Sequence, residues 1–547
     1  MKTNLRWQLL LAVTGLALVL ALLTFQVQTA GLCSVRVPAA GGVFVEGMVG
    51  RPQYLNPLLA DNNPVDREIA SLVFDGLTRY EKGQLVPALA ENWEISEDGL
   101  SVLFTLRDDI FWHDGEPFSS NDVAFTYGLM QDDDYPGRSS LRRFWQSVTI
   151  RPEGEYQIAF DLQEPYAGFL DLTTRGIMPA HVLEDAAAAD LTDLVFNRQP
   201  VGTGPFIVEP GQNWEEERQL TLTPNPRAWR EGAQMAELTF RFYPDEPSLV
   251  QAFEQGEIQA INTVSPTMLP EVAQLPQARL FTAEAPRYTT LLFNLTSSGS
   301  PAMQSVAVRR ALAYGLDREA LVDDTLNGQG VLQTGPYLAT SWAYNPALLT
   351  LYSSQPLSAT TGLDAAGWTL VEGEDMRRNG DSAMVLRFLV YDSPTNRALA
   401  EKIAEEWAEL GAAPQLNLFS DWQIYRQALR DRDFDVAMVE ITPPGDPDLY
   451  DFWSQEAIIN GQNNAGWNRR RASEALEDGR RLWGIGERRP YYDSFLRYYD
   501  EDLPELTLFR HVYTYAVTAD VEGVEIGLID HPRDRYLTMP DWILQYR

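Results

Sequence analysis

Cysteine is almost absent from this 547-residue chain, which has one, Cys33, and only four histidines. That excludes a disulfide framework, a cysteine-rich zinc site and an iron–sulfur cluster, and leaves open only a metal site built from carboxylates. Positive charge is also short, with 43 Lys and Arg against 77 Asp and Glu, a formal net charge of −34. Such an excess repels phosphate backbones and anionic headgroups, so nucleic-acid binding is disfavoured. Catalytic signatures are missing too: there is no Gly-x-Ser-x-Gly, no His-Glu-x-x-His and no Gly-x-x-x-x-Gly-Lys-Ser/Thr. No repeat of fixed period is evident, which argues against solenoids and propellers. The 45% hydrophobic and 22% charged content is that of a folded chain, and its length provides for about three to five domain-sized units.

The N-terminus reads as a targeting or anchoring segment. Lys2 and Arg6 precede Leu9–Phe25, an uncharged, almost wholly apolar run. As a helix it would span roughly 25 Å, long for a signal core and slightly short for a bilayer. Positive charge stays on the cytoplasmic side, so the rest of the chain is expected outside. Cys33 follows directly, in Gln28-Thr29-Ala30-Gly31-Leu32-Cys33, a placement similar to a bacterial lipoprotein signal in which Cys33 would be acylated. Leu32 and Ala30 depart from that pattern. Residues 1–33 are therefore read as a signal peptide or an uncleaved anchor, and 34–41 as a linker. Either way the protein is expected to be tethered to the cytoplasmic membrane from outside.

Strand and helix signals mix along the exported chain. Trp93–Ser96 and Leu100–Arg107 form the arms of a predicted hairpin turning at Glu97-Asp98-Gly99. Phe111–Phe118 contains a second tight turn, and Ser119 and Asp122 stand at capping-box spacing before a helix through Met130. Tyr156–Leu162, Leu220–Thr223 and Leu238–Tyr243 read as strands. From about residue 290 the order becomes strand Leu291–Leu295, a helix carrying Val308, Ala311 and Leu312, strand Leu386–Tyr391, helix Thr395–Leu410, strand Leu416–Phe419, helix Asp421–Leu429 and strand Phe434–Val439. That alternation predicts a parallel sheet covered by helices.

Chemistry-bearing constellations are weak. His113, His181, His511 and His531 sit in unrelated contexts. Asp446, Asp448 and Asp451 loosely resemble a calcium loop but lack its glycine and terminal glutamate. Paired carboxylates for glycoside hydrolysis can be drawn from almost anywhere, which keeps an extracellular carboxylate-dependent hydrolase as an alternative without a specific signal. Among the 14 tryptophans, Trp342, Trp422, Trp453 and Trp467 lie near Gly/Pro-rich segments, where an indole can line a cleft.

The motifs taken together are specific. Gln84–Trp93, Ser96-Glu97-Asp98-Gly99, Phe104–Arg107, Phe111–Phe118 and Asn121-Asp122-Val123 strongly resemble the oligopeptide/dipeptide/nickel class of solute-binding proteins of ABC importers (family 5). Leu55-Asn56-Pro57, Pro200–Phe206, Val308–Arg318, Phe434-Asp435 and Gly445-Asp446-Pro447-Asp448 extend the resemblance in order through nearly the whole exported chain. It implies an α/β, two-lobed periplasmic-binding-protein-like fold of type II, a three-domain, cluster C-like form with an inserted extra domain in the first lobe. Mapped here, residues 42–86, 196–290 and 515–547 would form domain I, 87–195 domain II and 291–514 domain III. Hinges would fall near Phe293-Asn294 and His511–Tyr515. The resemblance further implies a monomer without enzyme activity or cofactor, closing over a small solute or short peptide for the transmembrane subunits of an ABC permease. A non-transporting surface sensor or adhesive receptor on the same fold is a further alternative.

Relatives that import peptides place an aspartate just upstream of the Gly-Asp-Pro-Asp turn, against the peptide's ammonium. Pro443 occupies that place here, and Val439-Glu440 stand where Gly-Trp is common. Proline cannot accept a charge-assisted bond worth about 1.5–3 kcal/mol. Glu440 or Asp446 would have to substitute, or the ligand lacks a free N-terminus. The ligand-binding candidates are Glu440, Gly445, Asp446, Trp422 and Trp453 in the second lobe, with Asp61 and Asn63 from the loop after Leu55-Asn56-Pro57 in the first.

Overall fold

Two strands much longer than the rest, Ala278–Phe293 and Glu505–Thr518, set the architecture. They run antiparallel and pair from Ala278↔Thr518 to Leu292↔Glu505, with a register break between Glu284 and Tyr288. The computed structural model describes residues 41–544 other than 372, 530 and 531, so the apolar run Leu9–Phe25 and Cys33 lie outside the described residues.

On one side of the break, Glu505–Thr518 continues the sheet through Ala260–Ile261, Val43–Val49, Glu237–Tyr243, Gln219–Pro224 and Phe206–Val208. On the other side, Ala278–Phe293 leads to Val436–Ile441, Val385–Tyr391 and Ala413–Phe419. One 11-stranded sheet thus runs through two lobes. The last three strands are mutually parallel, as the strand–helix alternation predicts, and buried side chains cover both their faces.

The first lobe carries an added body, the antiparallel sheet Ala90–Ile95, Ser101–Leu106, Gln157–Asp161 and Thr149–Gly154. The predicted hairpin is its first pair, turning at Gly99 with φ +71°. Helix Ser120–Gln131 carries the expected capping box of Ser119 and Asp122. Between helix and sheet, Tyr127 stacks on Trp145 at 4.1 Å, and Phe104, Phe160 and Phe169 pack around them.

Several motifs prove to be architectural. Arg309 donates to the carbonyls of Asp502 and Leu503, and Arg310 to those of Asp500 and Glu501, so the Arg-Arg pair caps helix Ile485–Asp502 at its unsatisfied C-terminus. Arg318 ties three carbonyls together, those of Gln333, Thr507 and Tyr352. Gly202 and Gly204 are required for close approach rather than for turn conformation. A Cβ on Gly202 would lie 1.8 Å from the Val73 carbonyl oxygen, and one on Gly204 2.5 Å from that of Leu72.

The expected hinge pair Phe293-Asn294 packs inside the second lobe. Phe293 is fully buried in the second-lobe core, and Asn294 donates to the Phe434 carbonyl at 2.8 Å, so both belong to that lobe. The break sits at Glu284–Tyr288, opposite Arg510–Val512. The half-buried, charge-dotted stretch Ala278–Arg287 has no continuous apolar signal, which is why only the end of this strand is visible in sequence.

Beside the hinge, Glu505 is buried and accepts hydrogen bonds from Tyr288 (3.4 Å) and Tyr499 (2.8 Å). Burial pushes its carboxyl up to about 7, overriding these donors. A raised acid contributes stability below its ordinary range and loses it as pH climbs toward 7. Glu505→Gln should therefore raise the thermal midpoint relative to the native protein at pH 8 and leave it nearly unchanged at pH 4, as read by calorimetry.

Candidate functional site: the interlobe cleft

Strand direction determines which ends face the gap. Ala260–Ile261 runs antiparallel to Glu505–Thr518 and hence toward the second lobe, and Val43–Val49 and Glu237–Tyr243 run parallel to it. Val436–Ile441 runs antiparallel to Ala278–Phe293 and hence toward the first lobe, with Val385–Tyr391 and Ala413–Phe419 alongside. Both lobes therefore point the carboxyl ends of their parallel strands at each other, the position where open α/β sheets collect ligands. The loops placed there are 50–54 and 262–263 in the first lobe, and 420–422 and 442–446 in the second.

The lobes touch. Gly445 faces the Tyr80 ring so closely that an added Cβ would lie 2.1 Å from Cζ. Asp171 of the first lobe accepts a hydrogen bond from Tyr80 and faces the backbone N–H groups of Gly445 and Asp446. Arg480 lies over Tyr166 of the first lobe at 4.6 Å and Tyr450 of the second at 4.4 Å, while its carbonyl accepts the Ala167 N–H at 2.9 Å. Arg481 pairs with Glu164 at 2.8 Å, and the Trp483 indole donates to the Gly99 carbonyl at 3.3 Å.

The second-lobe wall is rich in charge but internally balanced. Asp446 forms a two-point ion pair with Arg488, both contacts 2.6 Å, and Arg488 lies over Trp342 at 5.0 Å. Asp448 pairs with Arg480 at 3.0 Å, and Glu440 with Arg287 of the hinge at 3.2 Å. Across the gap, burial pushes the Asp171 carboxyl up to about 6 despite the Tyr80 bond, with Asp446 adding to the rise. Among the described residues, no group of three or more His, Cys, Asp or Glu side chains is placed to hold a metal ion.

The expected site residues separate into distinct roles. Trp422, 49% exposed, opens helix Trp422–Asp431, stacks on Tyr425 at 5.4 Å and meets Tyr391 edge-on at 5.2 Å, a platform at the strand ends. Glu440, Gly445 and Asp446 lie on the second-lobe side of the gap, Asp446 already engaged. Trp453 is buried in the second-lobe core, its indole against Trp467 and Tyr499. Asp61 is half-buried, and the guanidinium groups of Arg175 and Arg138 overcome burial and hold its carboxyl below the usual range. Asn63 caps helix Pro64–Val73 and binds the Arg51 carbonyl at 2.9 Å, so it shapes the cleft loop from behind. Asp66 does the same through the N–H groups of Gln53 and Tyr54. Tyr80, Asp171, Arg480, Arg488 and Trp483 carry no local sequence signal, because their partners lie far away in the chain.

Two lobes joined by a pair of crossing strands and closed against each other define a hinged, two-lobed fold. The chain belongs to the bacterial extracellular solute-binding proteins, family 5, whose middle-region profile matches residues 84–459. It is 24% identical over 519 residues to the oligopeptide-binding protein AppA of Bacillus subtilis, covering 93% of this chain and 92% of that one. It is 28% identical over 397 residues to the nickel-binding periplasmic protein of Escherichia coli, covering 70% and 72%. The solved structure of Bacillus subtilis AppA with a nonapeptide shares the fold, with TM-score 0.75, 22% identity, and 93% and 100% of the two chains covered. The two-lobed type II reading holds, and the hydrolase alternative is not favoured by a family of binding proteins.

Two outcomes follow from the clasp. Trp483→Ala, which removes an indole packed on Gly99, should open the lobes, enlarging the radius of gyration in X-ray scattering with little change in circular dichroism. The Asp171 carboxyl, pushed up to about 6 by burial in the closed form, should lose its proton more readily once opening exposes it. Scattering should accordingly show closure weakening as pH rises from 4 to 7, and Asp171→Asn should flatten that dependence.

Proposed function

We propose that this protein is the extracytoplasmic receptor of an ABC importer, tethered by its N-terminal segment, through Cys33 or an uncleaved anchor. It captures a small solute between its lobes and releases it, unaltered, to the transmembrane subunits. Residues 42–86, 196–290 and 515–547 act as domain I, 87–195 as domain II and 291–514 as domain III, with one protomer sufficient. The observation that carries this reading is the two-strand crossing with both sets of parallel-strand ends aimed at one gap.

The ligand differs from a peptide held by its ammonium group at the second-lobe wall. Pro443 offers no acceptor, and the neighbouring acids Glu440, Asp446 and Asp448 are each paired with an arginine. Removing any of these arginine contacts to admit an ammonium would exchange one charge-assisted bond for another with no net gain. A solute with a blocked or absent amino terminus fits better, its apolar part resting on Trp422, Tyr425 and Tyr391. Relatives named for oligopeptide and for nickel binding indicate how widely this scaffold varies its cargo.

The protein as isolated should retain an unmodified small molecule in native mass spectrometry. In titrations with short peptides, N-acetylation should leave affinity within a fewfold of the free peptide. A loss of tenfold or more on acetylation would contradict the ligand reading, and turnover of a bound glycan would contradict the receptor reading.

A further inference from the structure

The first-lobe loop 51–54 follows strand Val43–Val49 at the end that faces the second lobe. Its flanks are fixed by backbone bonds: the Gly50 N–H donates to the Tyr243 carbonyl at 2.9 Å and the Leu55 N–H to the Asn197 carbonyl at 3.0 Å. Between them Pro52 has no N–H to give. The N–H groups of Gln53 and Tyr54 both go to one side chain, Asp66, at 2.6 Å on Oδ1 and 2.9 Å on Oδ2. A third anchor is Asn63, whose amide donates to the Arg51 carbonyl at 2.9 Å. The start of helix Pro64–Val73 thus shapes a cleft loop from behind.

Asp66 is only 1% exposed. Burial pushes its carboxyl up to about 6, against the pull of the two N–H groups, with no contribution from a charged side chain among the described residues. The charges on the elements packed against this helix are engaged elsewhere. Glu68 of the same helix takes Arg535, and Asp61 takes Arg175 and Arg138. Arg533 donates to the Ser71 carbonyl, and Asp534 lies near Arg79 and Arg533. Arg51 and Arg67 are exposed. A buried acid without a cation costs stability, and asparagine would fill the same space without that cost. Asparagine has one oxygen, however, and its own amide would meet the second N–H donor to donor. Only the ionised carboxylate offers acceptors on both oxygens with no competing hydrogen.

We propose that Asp66 is a positioning residue for solute capture: ionised, it holds loop 51–54 in the shape that completes the first-lobe wall of the cleft, and protonated, it lets that loop loosen. Its part in capture rests on the receptor reading above, whereas hydrogen exchange reads the loop without any ligand. Leu55, bonded to a backbone carbonyl at the end of the same loop, serves as the internal reference, so that changes in lobe closure affect both. In residue-resolved exchange of the whole protein, protection of the Gln53 and Tyr54 amides relative to Leu55 should fall about fivefold or more between pH 8 and pH 5. Asp66→Asn should show the lower protection already at pH 8, with no further fall at pH 5. In native mass spectrometry at pH 8 it should also keep severalfold less of the co-isolated solute than the native protein does. If Asp66→Asn fails to fold, the pH profile of the native protein carries the same test. Equal relative protection at the two pH values, an equal pH-dependent fall in Asp66→Asn, or a loosened loop with undiminished solute retention would each overturn the proposal. A native protein carrying no solute would count against the receptor reading, while the exchange profile still decides the role of Asp66 in the loop.

Discussion

The structure depends on a shared hydrogen-bond ladder. Ala278–Phe293 and Glu505–Thr518 are paired to each other before either lobe is considered, and every other strand of the large sheet is reached from one of them. An antiparallel pair resists shear along its length because each bond is perpendicular to the strands, yet it twists at a break in register. The register shifts twice in quick succession, between Glu284 and Tyr288 and again between Thr289 and Thr290, so bending concentrates in that short stretch. Buried Glu505, Tyr288 and Tyr499 brace the second-lobe end of that break, and the ion pair of Arg510 with Glu284 bridges it.

A second theme is the use of arginine in an acidic chain. Only Lys2, Lys82 and Lys402 are lysines, so nearly all 43 basic residues are arginine. A guanidinium presents several donors in a rigid plane and can satisfy several acceptors at once. Arg309 and Arg318 gather backbone carbonyls, Arg387 binds both Asp433 and Asp435, and Arg535 sits between the buried carboxylates of Glu46 and Glu68. Each contact joins segments far apart in the chain. The same residue type supports the hinge and the second-lobe wall.

Much of the fold is legible in the sequence because its signals are local. Alternating apolar residues at Ser101–Leu106, the Ser119–Asp122 capping box and the alternation after residue 380 each encode their own element. The cleft is less legible for the opposite reason. Trp422 and Trp453 have similar neighbourhoods, yet one opens a helix at the strand ends and the other is packed among Trp467 and Tyr499; only topology separates them. Gly202 looks like a turn residue and is needed because a carbonyl passes beside it. Asp171 lies in an apolar run, and what it faces, Tyr80 and the Gly445-Asp446 turn, is far away in the chain.

Gly445 meets Tyr80 with no room for a methyl group. Two surfaces that abut so tightly act as a mechanical stop: the final angle between the jaws is dictated by the missing side chain, not by whatever lies between them. Cargo must then conform to a chamber of set height, and discrimination by girth becomes a property of the empty protein.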